Sequence, residues 1–510
     1  TRNTAVGAYA LDGNTTVSDC TAVGYSALTG ANTGTNNCAF GANALQTNTA
    51  GHSNTGVGRY ALQGNTTASH NAAFGNNALY TNSTGEYNTA LGASALTANT
   101  TANNNTAVGY QACYASSTAT ETAACGAYAG LALTTGSYNT FLGAYAGKTL
   151  TVGTSNVFVG RAAGFATLNA NYCVVVGAGA LTANSTGQYI TAIGYKALED
   201  NTANYITAVG YEALKENTTG QWNTAVGSNA LDANTTGTSN TAVGASALGA
   251  HTTGDNNVAV GDNCLAGNTT GSRNTAVGHD VMEASNASDN TGIGWEVMKS
   301  LSTGAENCCV GRGAGYSITT GGNNTVIGFR AGENITTAGS SVCIGNQAGD
   351  DQITTSHDQL FIARVPQAAG NSGVWIYGNS SGQCFQGGNS SSWSTTSDRR
   401  LKKNIVDNTK GLAEINQLRV TDFEYRKEDE IDMSEFPLAD GAHQVALGKG
   451  NEGTQTGIIA QEVEAVLPEC INVSDRGAKT VNTDPITWAL VNAVKELSAE
   501  IEQLKSQINN

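Results

Sequence analysis

Proline is almost missing from this chain of 510 residues, and all four examples fall in its last third, at Pro366, Pro437, Pro468 and Pro485. Proline has no backbone N–H to donate, so it interrupts a ladder of paired strands. The chain before Pro366 is therefore free of the residue that most often ends such a ladder. Runs of about 18 apolar residues are also missing, which excludes a membrane-spanning helix and predicts no membrane insertion.

Positive charge is scarce as well. The chain has 24 Lys and Arg against 40 Asp and Glu, a net charge of −16. No basic stripe is present to neutralise phosphates, which argues against nucleic acid or an anionic membrane as a partner. Residues 1–396 hold 31 charged residues and residues 397–510 hold 33. This shift predicts a domain boundary near residue 397.

The eleven cysteines do not form the pattern of a disulfide framework. Several replace small residues of a repeat one at a time, and their number is odd. We interpret them as reduced residues that fill a core, which indicates assembly in a reducing compartment. The substituted repeat positions are those of Cys38, Cys125, Cys264, Cys308, Cys309 and Cys343.

A glycine preceded by an apolar residue returns with a 17-residue period, from Gly7 to Gly345, in 21 copies of an N-T-A-V-G-x-x-A-L unit. Only the steps from Gly194 to Gly210 and from Gly278 to Gly294 are one residue shorter. A unit this small cannot bury its own apolar face, so the period predicts a solenoid of stacked coils. Because Thr1 already lies within a repeat, we expect further sequence before it.

Positions are numbered here from that glycine, which is position 0. Position −1 is apolar in every copy and position −3 is mostly Thr or Val. This alternation is typical of a strand with one buried face, and we predict that −3 and −1 form that face. Position +3 is Ala in 18 copies, and an N-T-T-G run near +7 to +10 indicates a turn.

Position +4 is usually Leu but becomes Gly in six copies, and in five of these the small residue at −2 is enlarged. Volume lost at one position and regained at another is what a close-packed interior requires. We therefore predict that −2 and +4 touch, within a coil, between coils or across a subunit boundary. The enlarged residues are Phe141, Phe158, Cys309, Val326 and Cys343, and only Ala124 stays small.

With strands about 4.8 Å apart, 21 coils give a shaft of roughly 100 Å. A 17-residue coil encloses little, so three chains on one axis would bury more surface. The N-T-A-V-G units resemble the head repeats of trimeric autotransporter adhesins, which are parallel β-rolls, and repeats of phage fibre shafts. We thus predict a mainly β fold, with a trimeric 17-residue-repeat β-solenoid shaft over residues 1–362. A Gly/Ser/Asn-rich connector follows over 363–396.

Two separated motifs follow the connector. The first reads S-D-R-R-L-K-K-N-I from Ser397, and the second reads G-I-I-A-Q-E-V from Gly457, followed by L-P-E. Together they closely resemble the intramolecular chaperone auto-processing domain that ends phage tailspikes and tail fibres, including endosialidases. The resemblance covers 397–510 and implies a small α+β domain that sets the register of three chains.

The same resemblance implies that the domain cleaves itself at the Thr396–Ser397 bond, with Ser397 and Lys402 as the catalytic pair. A serine hydroxyl is a weak nucleophile until a base removes its proton, and a lysine with a lowered pKa can be that base. Ser397 would attack the carbonyl of Thr396 to give an ester that water hydrolyses. The alternative interpretation is a charged strand that opens a globular domain without cleavage.

The end of the chain shows apolar residues at alternating spacings of four and three, the a/d seam of a coiled coil over 488–508. We predict that this helix closes a trimer, and the alternative is a helix packed on its own domain. The seam residues are Leu490, Val494, Leu497, Ile501, Leu504 and Ile508.

A viral tail fibre that attaches to a host-surface receptor, located on the virion and bound to other tail components, is the function that these features favour. A bacterial surface adhesin is the alternative, although adhesins of the autotransporter type end in a membrane anchor. A carbohydrate depolymerase would need paired carboxylates, whereas the shaft's acidic residues are scattered. An ice-binding solenoid would need exposed threonines, whereas we predict that the threonines at −3 are buried.

Aromatic residues at +1 would form platforms for a glycan receptor if they are exposed, although packing at coil edges is the more common role. They are Tyr25, Tyr110, Tyr195, Tyr211, Trp295 and Phe329. The six histidines show no ligand spacing, and no nucleotide-binding loop occurs. We predict no metal site and no cofactor.

Overall fold

The computed structural model describes residues 2–13, 16–349, 354–363, 374–378, 384–386, 405–435, 453–473 and 478–509. The chain divides into two compact units, Thr1–Ser391 and Ser392–Asn510. Each unit is described by itself.

The first unit is a parallel β-solenoid of 21 coils, with one strand of three to five residues in each coil. Each strand pairs in parallel with the strand of the next coil, and a twenty-second strand continues the ladder. The predicted solenoid is thereby confirmed. Strands β1 to β22 are Thr4–Val6, Thr21–Val23, Cys38–Phe40, Thr55–Val57, Ala72–Phe74, Thr89–Leu91, Thr106–Val108, Ala123–Cys125, Thr140–Leu142, Val157–Val159, Val174–Val176, Ile190–Ile193, Ile206–Val209, Thr224–Val226, Thr241–Val243, Val258–Val260, Thr275–His279, Thr291–Trp295, Cys308–Val310, Thr325–Ile327, Val342–Ile344 and Leu360–Ala363.

The two short steps of the repeat do not disturb the strand register. Thr191 stands opposite Thr207, and Thr275 stands opposite Thr291, so the repeat position is kept although each of these coils is one residue shorter. The missing residue is taken up in the turn segment, where the preceding coils carry N-S-T-G at 184–187 and N-T-T-G at 268–271. A turn tolerates a length change that a strand does not, because slipping a strand by one residue would exchange its two faces.

The interior of the solenoid is narrow, and the side chains that fill it come from positions −4, −2, +3, +4 and +7. Alanines at −2 and +3 and leucines at +4 are fully buried in most coils. The three substitutions at +3, Cys264, Val281 and Val297, are fully buried too.

The prediction that −3 and −1 form the buried face is wrong. In each of β2 to β21 the residue at −2 is buried, and its two neighbours face outward. Leu91 and Leu142, both at −1, are each 49% exposed. Successive side chains of a strand point to opposite faces, so burial of −2 turns both −3 and −1 outward, and the alanine common at −2 suits a narrow interior better than the larger residues at −3 and −1 would.

The predicted contact between −2 and +4 is confirmed, both within a coil and between coils. A Cβ added to Gly147 would lie 2.6 Å from the Cδ1 of Phe141 in the same coil, and one added to Gly130 would lie 2.8 Å from Phe141 of the next coil. The phenyl ring therefore fills the space of two missing leucines. This arrangement explains why Ala124, in the coil of Gly130, needs no enlargement.

Position +4 also has a backbone reason for glycine. Leucines at this position hold a left-handed conformation, with φ 51° at Leu214 for example, and Gly164 has φ 61°. Side chains with a Cβ adopt this region at an energetic cost, whereas glycine does not.

Buried asparagines form two ladders along the solenoid. At −4, the Asn37 Oδ1 accepts the Asn54 N–H at 2.9 Å, and the Asn37 Nδ2 donates to the Gly51 carbonyl at 2.8 Å. At +7, the Asn65 Nδ2 donates to the Asn48 Oδ1 at 2.7 Å, and the pattern repeats in the following coils. These bonds satisfy polar groups that burial would otherwise leave without partners.

After β22 the sheet continues with two antiparallel strands, β23 (Val374–Gly378) and β24 (Cys384–Gln386). Both lie in the segment that the sequence predicts as a connector. Alternating residues such as Trp375 and Tyr377 are the sequence signal for β23, but the surrounding Gly, Ser and Asn residues conceal it.

The second unit is a small β/α region. Helix α1 (Leu412–Ile415) precedes the antiparallel pair of β25 (Thr421–Phe423) and β26 (Gln455–Gly457). Single 3₁₀ turns follow β25 at Glu428–Glu430 and Met433–Glu435. Helix α2 (Ala460–Val466) leads through a 3₁₀ turn at Pro468–Cys470 to the antiparallel pair of β27 (Ile471–Val473) and β28 (Lys479–Val481). The long helix α3 (Asp484–Ile508) ends the unit.

Candidate functional site: an outward strip on the shaft and a helix with two faces

The outward side chains of the shaft strands form a continuous surface, which we call the outer strip: positions −3 and −1 of β1 to β22. Parallel pairing keeps these positions aligned from coil to coil. The strip contains no Asp, Glu, Lys or Arg over its whole length. Apolar side chains at −1 alternate in it with position −3, which is Thr in 13 of the 21 copies, and an uncharged surface of this extent with an apolar column marks a candidate interaction site.

Cysteines within the strip contradict part of the prediction that the cysteines fill the core. Cys125 is exposed, and Cys38 and Cys308 are half-buried on the outward side. The other prediction holds at Cys309 and Cys343, which are fully buried. All cysteines of the described residues are free thiols. Burial raises the pKa of the Cys343 thiol to about 12, so this thiol stays protonated and unreactive at neutral pH.

The residues predicted to cleave the chain, Ser397 and Lys402, lie outside the described residues, as does the bond Thr396–Ser397. Their prediction stays untested. The described part of the second unit resumes at residue 405, shortly after this motif.

Helix α3 holds the segment that follows the motif. The Asn492 Nδ2 donates to the carbonyls of Asn408 and Lys410, at 3.0 and 2.9 Å. The Glu496 carboxylate accepts the Leu412 N–H at 2.8 Å and so caps the start of α1. One face of α3 is thus committed to its own unit, where Ile486, Ala489 and Ala493 are buried.

The other face of α3 carries the predicted coiled-coil seam, and it is exposed. The exposed fraction is 63% at Val494, 51% at Ile501 and 55% at Leu504. One face of the helix thus packs on its own unit and the seam lies exposed, while closure of a trimer by this seam stays a prediction.

The second motif forms the core and one wall of a groove. Val463 and Leu467 are each 1% exposed and pack with Cys470 and Ile486. The Arg419 Nε donates to the Glu462 carboxylate at 3.2 Å, which ties α2 to the segment before β25. The groove has a volume of about 620 Å³, and its lining includes Phe423, Tyr425, Arg426, Ile458, Ile459 and Lys479.

The comparison with known families agrees with this second motif. Residues 397–472 match the family described as the chaperone of endosialidase, Peptidase_S74. The match covers both motifs that carried the sequence resemblance. No solved structure matches this chain.

Among the described residues, no cluster of three or more His, Cys, Asp or Glu side chains could hold a metal ion. None of their helices is long and apolar enough to cross a membrane.

Proposed function

We propose that this protein is the shaft of a homotrimeric viral tail fibre that attaches the particle to a host surface. The observation that carries the proposal is the outer strip, an uncharged surface that runs through every coil. A second copy of the chain has the same rise per coil, so its strip matches this one at every coil. Cyclic closure of such contacts gives a finite assembly.

The size of the strip supports this assembly. Twenty-one coils at about 4.8 Å give a length of roughly 100 Å, and positions −3 and −1 span about 7 Å along each strand. The resulting area of roughly 700 Å² per chain is close to the ~800 Å² per partner that stable complexes bury. Flanking side chains add to it.

The exposed seam of α3 supports association of chains in one register, whereas the number three rests on the resemblance of the shaft repeats to trimeric adhesin heads. Near-identical coils offer many slipped alignments of almost equal energy, and a unique C-terminal helix removes that degeneracy. The match of residues 397–472 to the chaperone of endosialidase is consistent with a segment that organises chains in this way.

We propose further that the chain cleaves itself between Thr396 and Ser397. A denaturing gel of freshly expressed protein beside Ser397→Ala tests this step. The expected result is a shortened wild-type band and a full-length mutant band, with Lys402→Met as full length as the mutant. Wild-type and mutant bands of equal length would remove the cleavage and leave the assembly role.

Ice binding is a second candidate. The sequence argument against it was that the threonines at −3 are buried, and in the structure they face outward. Thr occupies position −3 in 13 of the 21 copies and faces outward. Regular hydroxyl and methyl groups on a parallel sheet can order water in a lattice. Thermal hysteresis of the full chain tests it, and a freezing point equal to the melting point excludes it.

A further inference from the structure

We propose that the shaft holds a pyranose ring of a glycan in a slot between Tyr138 and Tyr172, on the edge formed by position −5. The inference deepens the attachment role proposed above and names its ligand class. It depends on a ladder of aromatic residues at −5 and on one coil, between Tyr138 and Tyr172, in which this position is not aromatic.

Position −5 is a single column on the surface of the shaft. Tyr138, Ser155 and Tyr172 each donate a backbone N–H to the carbonyl of residue i−18, at 3.1, 3.1 and 3.2 Å. Each also has a left-handed backbone, with φ 62°, 58° and 57°. The three side chains therefore leave the same edge of three successive coils.

Four successive coils place aromatic rings in this column. The ring centroids of Tyr172 and Tyr189 are 5.3 Å apart, those of Tyr189 and Tyr205 are 5.0 Å apart, and those of Tyr205 and Trp222 are 6.4 Å apart. Their planes differ by at most 11°. A ladder of stacked rings at this edge thus has a repeat close to the coil spacing.

The rings are exposed and their backbone conformation is unfavourable for them. Tyr172 is 56% exposed and Trp222 is 59% exposed. A left-handed conformation suits Asn, Asp and Gly and costs a bulky residue more. Other coils place Asn36, Asn104 or Asn256 here, so the fold does not require an aromatic residue.

The slot is the coil between Tyr138 and Tyr172, where Ser155 replaces the ring. Two coil spacings separate the walls, about 10 Å. A six-membered ring placed midway lies about 5 Å from each wall, within the roughly 4.5–7 Å over which aromatic rings pair. Tyr138 is 59% exposed, so both walls are open to solvent.

Neutral polar groups lie beside the residues of the slot. The Asn171 Oδ1 accepts from the N–H and the Oγ1 of Thr154, at 2.8 and 3.1 Å, which places the amide of the residue before Tyr172 against the residue before Ser155. Amide and hydroxyl groups beside aromatic walls suit the hydroxyls and C–H groups of an uncharged sugar. This chemistry selects a pyranose rather than a phosphate or another anion.

The test fills the slot without removing a contact. Ser155→Tyr completes the ladder, and the left-handed backbone at this position already accommodates Tyr in the next coil. Ser239→Tyr is the matched control, because it also adds one ring beside the ladder, next to Trp222, but fills no gap between two rings.

The probes are the methyl pyranosides of glucose, galactose, mannose and N-acetylglucosamine, observed with the full chain by saturation-transfer difference NMR at millimolar concentration. We expect binding of at least one pyranoside to the wild type and to Ser239→Tyr, and affinity weakened about tenfold or more in Ser155→Tyr and Tyr138→Ser. Binding unchanged in Ser155→Tyr, or no binding by the wild type, would overturn the proposal.

Sedimentation of the same samples separates this inference from the proposed assembly. A trimer that binds no pyranoside overturns the slot alone. A monomer that binds one, and loses it in Ser155→Tyr, overturns the trimer alone.

Discussion

Glycine at position 0 determines how closely neighbouring coils approach. At Gly227 the backbone has φ 144°, and an added Cβ would lie 2.6 Å from the Gly244 carbonyl carbon of the next coil. No side chain fits there without moving backbone, and the conformation is itself accessible mainly to glycine. The same conflict recurs in the other coils, which explains why position 0 is glycine in every copy.

Gly227→Ala should therefore lower the free energy of local unfolding in its coil by at least ~2 kcal/mol. Gly249→Ala is the control in the same region. A Cβ added there would lie 3.3 Å from the Ser246 carbonyl oxygen, its nearest atom beyond the chain neighbours, and Gly249 does not have a left-handed φ. Hydrogen exchange of the amides in this and adjacent coils measures both. Equal protection in the two variants would contradict the close approach.

His251 replaces asparagine in the ladder at +7, and its geometry predicts a dependence on pH. Its Nε2 lies 2.7 Å from the Gly254 carbonyl and its Nδ1 lies 3.1 Å from the Asn268 carbonyl. A neutral ring has one N–H and can serve only one of these acceptors. The Asn234 Oδ1, the end of the preceding ladder, is left without a donor.

Burial lowers the pKa of His251 below its ordinary value of 6.5. The unfolded chain then binds more protons than the folded chain, so stability falls as the pH drops below about 6.5. His251→Asn should be more stable than the wild type, with the difference growing between pH 7 and pH 5. Thermal unfolding at both pH values measures it, and equal shifts of the two proteins would refute the role of this imidazole.

At the scale of the coil, the interior is kept filled by paired changes: where one position has a smaller side chain, a neighbouring position has a larger one. Phe158 occupies the space beside Gly164, whose added Cβ would lie 2.6 Å from the ring. In four of the six coils with glycine at +4, position +7 also changes, from asparagine to an apolar residue. The ladder of amides is replaced locally by an apolar core at these positions, which are those of Leu133, Leu150, Ile318 and Ile335.

A double-mutant cycle tests the exchange between −2 and +4. Phe158→Ala should destabilise its coil by about 3–5 kcal/mol through the cavity it leaves, and Gly164→Leu alone should destabilise it by overpacking. The double variant restores the Ala and Leu of the common repeat, so it should recover at least ~1 kcal/mol relative to the sum of the single changes. Strict additivity would mean that the two positions do not share one space.

The coils, their number and the contact between −2 and +4 could be predicted from the sequence. Each depends on a repeat that is too regular to arise by chance. The face of the strand was predicted wrongly, because an apolar residue at −1 does not by itself require burial. Volume was the better signal, since enlargement at −2 accompanies the loss of leucine at +4, and such compensation occurs only inside. The amide ladders were missed because asparagine in a turn-rich repeat is also ordinary turn chemistry.

In the C-terminal unit, by contrast, much of the packing could not be predicted from the sequence. The a/d pattern predicted the exposed seam of α3, but nothing in the spacing indicated that Asn492 and Glu496 hold the segment at 408–412. Contacts between residues so far apart in the chain have no local signature. The pair Ser397 and Lys402 remains a prediction.

At the scale of the whole molecule, a charge introduced into the outer strip should leave the single chain folded and should weaken the assembly. Val226, at −1, is 37% exposed, so a lysine there keeps its ammonium in water when the chain is alone. Val226→Lys should leave the far-ultraviolet circular dichroism unchanged and weaken self-association. Thr238→Lys, outside the strip, is the control, and equal weakening by both would contradict the strip as the interface.

Thiol labelling provides an independent view of the same surface. Cys125 is exposed in the single chain, whereas Cys113 is buried and burial raises its pKa to about 12. We expect Cys125 to be protected from maleimide in the assembly and to react once the assembly is dissociated, with Cys113 unreactive in both. Rapid labelling of Cys125 in the intact assembly would show that the strip is open.

The mass of the intact chain in solution tests the central claim most directly. Sedimentation equilibrium of Ser397→Ala, which keeps the chain whole, should give three times the 52.0 kDa of one chain. Val226→Lys in the same background should shift the mass toward a single chain. The mass of a single chain for the parent would contradict the account, since the outer strip would then face water along its whole length.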